Sequence, residues 1–365
     1  MANFNGQLRS NEIFAALYNM IISQQVFADN ITDTFSELAD RFRVDGSLYG
    51  DTKLYYSTDV LKSAPWGNDA EAANLLALYR PEAPECQAIT LDVFRQICLT
   101  VDNYLSKRAW GTEGAFSEFN SVMLGWIRDT KRIYDATLVN SYVGTAETTI
   151  GEQDQTVTLS SQEGDLEATN RLEGQAIAEK IANLLIQLRD VSRDFNDYGN
   201  LRSYKPEDLI VVWNSNYYNK ILKVDLPTIF HRDGLVDKLN DYYLPARYFG
   251  KVNTKAGSAS ASNTTIRSLI ETDYTDASSI KHHVFPGDLL PNSVAYKANE
   301  TYTTDGTIIC KIMHKNSIPF MSAFEVGTSF FNPKSLTETH YLTWGHNTLE
   351  YLQNYPMITL RGVEA

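Results

Sequence analysis

The stretch from Trp110 to Gly144 constrains this chain most. Its apolar residues Phe116, Phe119, Met123, Trp126, Ile127, Ile133, Tyr134, Leu138 and Tyr142 recur every three or four positions, which is one stripe of an α-helix, and no proline interrupts them. At about 1.5 Å per residue, a helix of roughly 29 residues is about 43 Å long, more than twice the common length. Gly114 permits a sharp entry, and Gly144 stands where a left-handed C-cap residue ends a helix. Such a rod either crosses the core of a large enzyme or serves as a scaffold for smaller elements, and the pattern alone fits both.

The 365 residues suffice for two or more compact units, and 43% hydrophobic with 21% charged residues excludes a disordered chain. A formal charge of -13 with no lysine or arginine block argues against a protein that grips phosphate backbones, so nucleic acid would be a neighbour and not a ligand. Cys86, Cys98 and Cys310 are odd in number and far apart, and they read as free buried thiols in a reducing compartment. The only hydrophobic N-terminal stretch, 13–22, contains Asn19 and leads into Ser23-Gln24-Gln25, which makes a poor signal peptide. No run approaches the roughly 20 apolar residues of a membrane span, so the expectation is a soluble, cytosolic chain. The 21 tyrosines and 16 phenylalanines favour large packed contact surfaces as much as a large core.

In chain order, residues 11–43 carry two helical stripes, Ile13-Phe14-Leu17-Ile21-Ile22 and Phe35-Leu38-Ala39-Phe42, with Asn30 or Thr32 as a cap for the second. They are too short for a domain and read as an arm that packs on another body. From 46 to 100 the pattern turns extended, with strands at 53–57 and 88–100 separated by Trp66, a helical patch at 70–79, and Pro81 and Pro84. A loop of this size with little core of its own is usually functional or disordered, and Trp66 near its tip favours function.

After the long helix, 145–164 is Thr-rich and reads as a surface strand or hairpin; 166–195 is a second long helix with Leu172, Ile177, Ile181, Leu184, Leu185, Leu188 and Val191 on one face. The turn cluster 196–200 is the expected domain boundary. Leu209 to Trp213 is a continuous apolar run, the mark of a strand buried on both faces. Helical patches at 216–223 and 235–243, strands at 248–252, 284–297 and 307–313, and a mobile Gly/Ser/Ala loop at 255–263 complete a middle α/β unit. The last stretch, 319–365, alternates and should supply a strand returning beside the long helix, making the second unit discontinuous.

No constellation for chemistry emerges. His282 and His283 are adjacent and point apart on a strand, His340 and His346 fit no common metal spacing, and His231 and His314 stand alone. There is no Gly-x-Ser-x-Gly elbow, phosphate loop, Gly-x-Gly-x-x-Gly or His-Glu-x-x-His; Asp225 and Asp233 make only the kind of carboxylate pair that 45 acidic residues produce by chance. No catalytic, cofactor or metal residue is therefore expected.

The succession of arm, extended loop, the segment Gln87-Ala88-Ile89-Thr90-Leu91-Asp92-Val93-Phe94-Arg95 running into Leu99-Thr100-Val101-Asp102, and then the long helix resembles major capsid proteins of tailed bacteriophages, Caudoviricetes, with the Hong Kong 97-type fold. The resemblance implies an α+β chain with an N-terminal arm (1–48), an extended loop (49–110), a peripheral domain with the spine helix and second helix (111–200), an axial domain (201–310) entered at Pro206-Glu207-Asp208, and a return to the peripheral domain (311–365) through Phe320 to Glu325. It implies a non-enzymatic virion protein, assembled in the host cytoplasm, whose partner is itself, in pentamers and hexamers of an icosahedral shell. A separate scaffolding protein, a portal and packaged double-stranded DNA as a non-specific neighbour are further implied partners; no membrane is. Tyr55, Tyr56, Trp66, Leu78 and Tyr79 on the loop are the expected intersubunit contacts. The alternatives are an encapsulin-like compartment shell and, from another class, a carbohydrate-binding or carbohydrate-active protein using exposed aromatics.

Overall fold

The computed structural model describes residues 35–45, 50–63, 78, 80–102, 113–148, 151–218, 240–260, 265–276 and 278–364 and, at 113–121, 151 and 324, the backbone alone. In chain order these form α1 (Glu37–Phe42), β1 (Arg43–Val44), β2 (Thr52–Ser57), β3 (Glu85–Asp102), α2 (Glu113–Thr145), β4 (Asp154–Leu159), α3 (Leu166–Arg189), β5 (Leu209–Asn214), β6 (Asn240–Leu244) and β7 (Gly250–Val252). There follow β8 (Gly257–Ser258), β9 (Ile266–Ser268), β10 (Thr272–Thr275), β11 (Lys281–Val284), β12 (Ala295–Tyr296), β13 (Thr301–Thr304), β14 (Ile308–His314), β15 (Phe320–Asn332), β16 (Thr337–Asn347) and β17 (Met357–Glu364).

Two five-stranded sheets organise the chain: a long one in the order β1-β15-β16-β3-β2 and a central one in the order β4-β17-β14-β5-β6. In the central sheet β5 is buried along its whole length, as its apolar run requires. Its residues alternate between two cores: Leu209, Val211 and Trp213 pack under α3 with Ile181, Leu185 and Leu188, while Ile210 and Val212 pack with α1 and the end of α2. Helix α3 starts where the Asp165 carboxylate accepts the Glu167 and Ala168 amides and stops at Arg189, six residues before the expected end, leaving Val191 exposed.

Helix α2 runs 33 residues, as its unbroken pattern demands, but it does not bury one stripe. Met123, Ile127 and Tyr134 are buried on one side, Ile127 and Tyr134 against Leu342 and Trp344 of the long sheet. Ala136, Val139 and Val143 are buried as well, Val139 and Val143 against the central sheet. At 100° per residue the second group lies about 170° around the helix from the first. The helix thus changes sides between Tyr134 and Ala136, past the middle of its length. Trp126, expected in the buried stripe, lies off both groups and is 50% exposed.

Gly144 does not terminate the helix in a left-handed conformation; it lies inside it, and a Cβ there would meet the Tyr248 carbonyl oxygen at 2.1 Å. The glycine is needed because backbone crosses backbone at that point. Of the expected helix over 235–243, residues 235–239 lie outside the described residues, and from Asn240 the chain is a strand, β6, which pairs in parallel with β5, with Tyr243 exposed between Tyr242 and the buried Leu244. The 284–297 stretch is strand only at its ends, and Gly257–Ser258 in the expected mobile loop pairs with Ala295–Tyr296. The turn at 196–200 does not separate two bodies, because β4 before it and β5 after it belong to one sheet. The C-terminal strand β17 lies in that same sheet, antiparallel to β14 and parallel to β4, with Met357 packed in the cluster that holds Val139 and Val143. The first arm stripe, Trp66 and Tyr79 lie outside the described residues; the second stripe is α1, with Leu38, Ala39 and Phe42 buried and Phe35 exposed.

The end of α2 is fixed by a buried hydrogen bond. Lys311, on the central strand β14, is fully buried and donates from Nζ to the Ala146 carbonyl at 2.5 Å, just past the last turn, where the helix dipole is negative. Burial pulls its pKa down to about 7, although Glu147, Asp154 and Asp305 favour the charged form. Arg361 joins the same three carboxylates, with Nε 3.1 Å from Asp154, Nη1 2.5 Å from Asp305 and Nη2 bonded to Glu147.

Gly144→Ala should lower the melting temperature sharply or abolish folding, whereas Gly125→Ala, where a Cβ meets nothing within 4 Å, should stabilise by about 0.5–1 kcal/mol; equal effects of the two in thermal melts would contradict the crossing. Because the folded-state pKa of Lys311 is depressed, the unfolded chain binds the extra proton between pH 7 and 10.5, so this group makes stability rise with pH across that window. Urea midpoints from pH 7 to pH 10 should therefore climb for the parent relative to Lys311→Met, and parallel profiles would refute it.

Candidate intersubunit surface

Strand β3 is 18 residues long, roughly 60 Å at 3.3 Å per residue, and belongs to the body only along part of its length. Ile97 and Leu99 pack with Leu342 and Trp344 beneath α2, while Gln96, Cys98 and Thr100, on the opposite face, are exposed. Its first third pairs antiparallel with β2, from Thr52 opposite Thr90 to Ser57 opposite Glu85. This is the extended hairpin that the sequence predicts.

Alternation divides the expected contact residues. Tyr55 is half-buried in a small cluster with Ile89, Leu91 and Met321, where burial and then Tyr355 raise its phenol pKa. Tyr56 points outward, 64% exposed, beside Leu54. Leu78 is exposed, as are Val60 and Leu61. Trp66 and Tyr79 are not among the described residues.

Sequence reasoning missed a second exposed set. The hairpin of β15 and β16 turns over Asn332 to Leu336, with the Asn332 side chain accepting the Lys334 amide and Leu336 at φ 54°. Phe330, Phe331 and Leu336 at its end are exposed. The turn cluster Asn332-Pro333-Lys334-Ser335 between apolar flanks was the signal that could have located it. β15 pairs with β1 only at Phe320 and Met321, so beyond Met321 its outer edge has no strand partner among the described residues. The face that carries Val326 and Phe330 is bordered by threonines, with Thr100 and Thr339 hydroxyls 3.1 Å apart and Gln96 donating to Thr343 at 3.0 Å. Trp126 and Leu124 add exposed apolar area on the lower half of α2.

The titratable groups serve structure. His314 stacks on Tyr355 with centroids 4.2 Å apart, and burial lowers its pKa to about 4. His346 is buried, 2.7 Å from the Tyr134 hydroxyl. His282 and His283 do point apart, His282 to Asp276 at 3.0 Å and His283 to Asp273 and Glu271 at 2.8 and 2.9 Å; those carboxylates, Asp273 first, raise the His283 pKa. Cys310 is buried, but Cys86 and Cys98 are exposed, against the expectation of three buried thiols, because both lie on outward positions of β3. Among the described residues no group of three His, Cys, Asp or Glu side chains could hold a metal ion, and no helix is long and apolar enough to cross a membrane.

A model of the Phi29-like phage major capsid protein family matches residues 3–358. No curated protein sequence matches. Among solved structures, a chain in the capsid structure of Staphylococcus phage Andhra is 11% identical with a TM-score of 0.61, the match covering 93% of this chain and 87% of that one. A chain in the structure of the head fiber and inner core protein gp22 of native bacteriophage P68 is 12% identical with a TM-score of 0.60, covering 92% and 87%. At such identities the likeness is one of fold.

The alternation on β2 makes a paired prediction. Leu54→Ser with Tyr56→Ser should leave the stability of the free chain within about 0.5 kcal/mol of the parent and weaken self-association in sedimentation velocity, whereas Tyr55→Ser should cost stability. Unchanged association in the double variant would remove this face from the contact surface.

Proposed function

Since the chain belongs to the Phi29-like phage major capsid protein family, we propose that its extended hairpin, residues 50–102, is the intersubunit arm of a shell built from pentamers and hexamers. The protein is a major capsid protein of a tailed bacteriophage with the Hong Kong 97-type fold, located in the virion, and its family implies a structural role. Neither the encapsulin-like nor the carbohydrate alternative finds support. The observation that carries the reading is the hairpin itself: two paired strands whose outward side chains, Leu54 and Tyr56, are left more than half exposed by the described residues of their own subunit.

The domain roles follow as part of the same proposal. The long sheet with the lower half of α2 is the peripheral domain, and the central sheet with α3 and the small sheets of 250–304 is the axial domain, so that β4, α3 and β17 fall with the axial body and only 320–347 returns to the peripheral one. Tyr56, Leu78, Phe330 and Phe331 are contact residues, with Tyr55 supporting the hairpin from within. A scaffolding protein and a portal are further partners, and packaged DNA is a non-specific neighbour, since a charge of -13 disfavours tight phosphate binding.

Purified full-length chain, alone and with a candidate scaffolding protein, should form capsomers or shells in light scattering and electron microscopy. A strictly monomeric species at every concentration and salt, with and without scaffold, would overturn the assignment.

A further inference from the structure

Besides the apolar cluster of Tyr55, Ile89, Leu91 and Met321, the end of the β2–β3 ladder nearest the tip, the root of the loop that follows Ser57, is held by directed polar contacts to its own subunit. Ser57, the last residue of β2, is buried; its hydroxyl donates to Asn354 Oδ1 at 2.6 Å and accepts from Asn200 Nδ2 at 2.9 Å and Arg202 Nη2 at 3.1 Å, which fills its hydrogen-bonding capacity. Arg202 also donates from Nε to Asn354 Oδ1 at 3.2 Å and from Nη2 to the Thr58 carbonyl at 2.5 Å. One residue further, Asp59 accepts the Leu201 amide at 3.0 Å and pairs with Arg193 at 2.7 Å, contacts that hold its pKa down at about 2. On the other strand, Gln87 donates to the Tyr351 carbonyl at 3.0 Å and accepts the Gln353 amide at 3.1 Å.

The end of β2 is thus tied to two turns, 196–202 and 351–354, and β3 to the second of them, and these turns are braced on one another. The Asp197 amide donates to Gln353 O at 2.8 Å, and Asn196 exchanges two bonds with Asn200, at 2.7 and 2.9 Å. Leu54 and Tyr56 on the outward face of β2, and Val60, Leu61 and Leu78 beyond Ser57, are exposed. Apolar contact alone would tolerate a range of hairpin angles, whereas a planar guanidinium bonded to Ser57, Thr58 and Asn354 together permits few.

We propose that Arg202 is the positioning residue of the extended hairpin: it sets the direction in which the hairpin leaves the subunit before any neighbour arrives, so that assembly begins from a pre-oriented arm. The inference rests on the reading of the hairpin as an intersubunit element. Orienting the arm within the free subunit removes part of the ordering cost that association would otherwise carry. A two-stranded ribbon is marginal by itself, so release of the root should also be visible as fraying.

The test uses the full-length chain. In hydrogen exchange of the free subunit, Arg202→Ala should raise the exchange of 52–60 by about tenfold or more while 177–188 and 209–214 stay unchanged. Shell formation followed by light scattering should slow by a similar factor, with the melting temperature nearly unmoved. Arg202→Lys, which supplies one donor point instead of a fork, should not restore the rate; full restoration would contradict the geometric role. Should Arg202→Ala fail to fold, Ser57→Ala, which removes the hydroxyl that Arg202 Nη2 reaches at 3.1 Å, carries the same measurement from the hairpin side. Unchanged exchange at 52–60 in the folded variant overturns the clamp, and faster exchange with shells forming at the parent rate overturns the positioning role. A loosened hairpin in a chain whose parent never forms shells would instead count against the intersubunit reading on which the inference rests.

Discussion

One helix has to satisfy two sheets. The lower part of α2 buries Ile127 and Tyr134 against the long sheet, and its last turns bury Val139 and Val143 against the central one, on nearly the opposite side. A helix is stiff over this length, so a rotation that improved one contact would spoil the other. The relation between the two sheets is therefore fixed by where the buried side changes. The close crossing of Gly144 over Tyr248 and the bond from Lys311 to the Ala146 carbonyl pin the helix at that end.

The electrostatics around the pin have an uneven logic. A buried lysine is expensive, and its depressed pKa records that cost; Arg361, by contrast, keeps its charge because three carboxylates from separate segments converge on it. These segments are the end of α2, the start of β4 and the turn before β14, so one guanidinium joins parts of the chain that are far apart in sequence. Such a junction holds the central sheet closed around its C-terminal strand.

What the cores leave uncovered is as informative as what they bury. The outward side of the extended hairpin, the end of the β15–β16 hairpin and the lower outer side of α2 expose leucine, phenylalanine, tyrosine and tryptophan together. An isolated subunit carries these patches at some risk of non-specific association, whereas a subunit of a closed lattice covers them with copies of itself. The chain's membership of a phage major capsid protein family accords with such exposed apolar patches.

Local periodicity determined the long helix, the second helix, the fully buried strand at 209–214 and the paired strands of the extended hairpin, because each depends on side-chain spacing within a few residues. The resemblance to tailed-phage capsid proteins was legible for the same reason, as an order of such elements. Only the tertiary structure decided the rest. Trp126 fell outside the core because two partners, not one, chose the buried sides of α2; Gly144 proved to be a crossing point because Tyr248 approaches from about 100 residues away; 196–200 became a brace and not a boundary because β4 and β5 share a sheet. The contact surface was half legible: alternation places Tyr56 outward and Tyr55 inward once the pairing is known, but which side of β2 has a core beneath it depends on Met321, Ile89 and Leu91 arriving from other strands. Burial is a property of pairs of distant segments, and a sequence read one window at a time does not contain it.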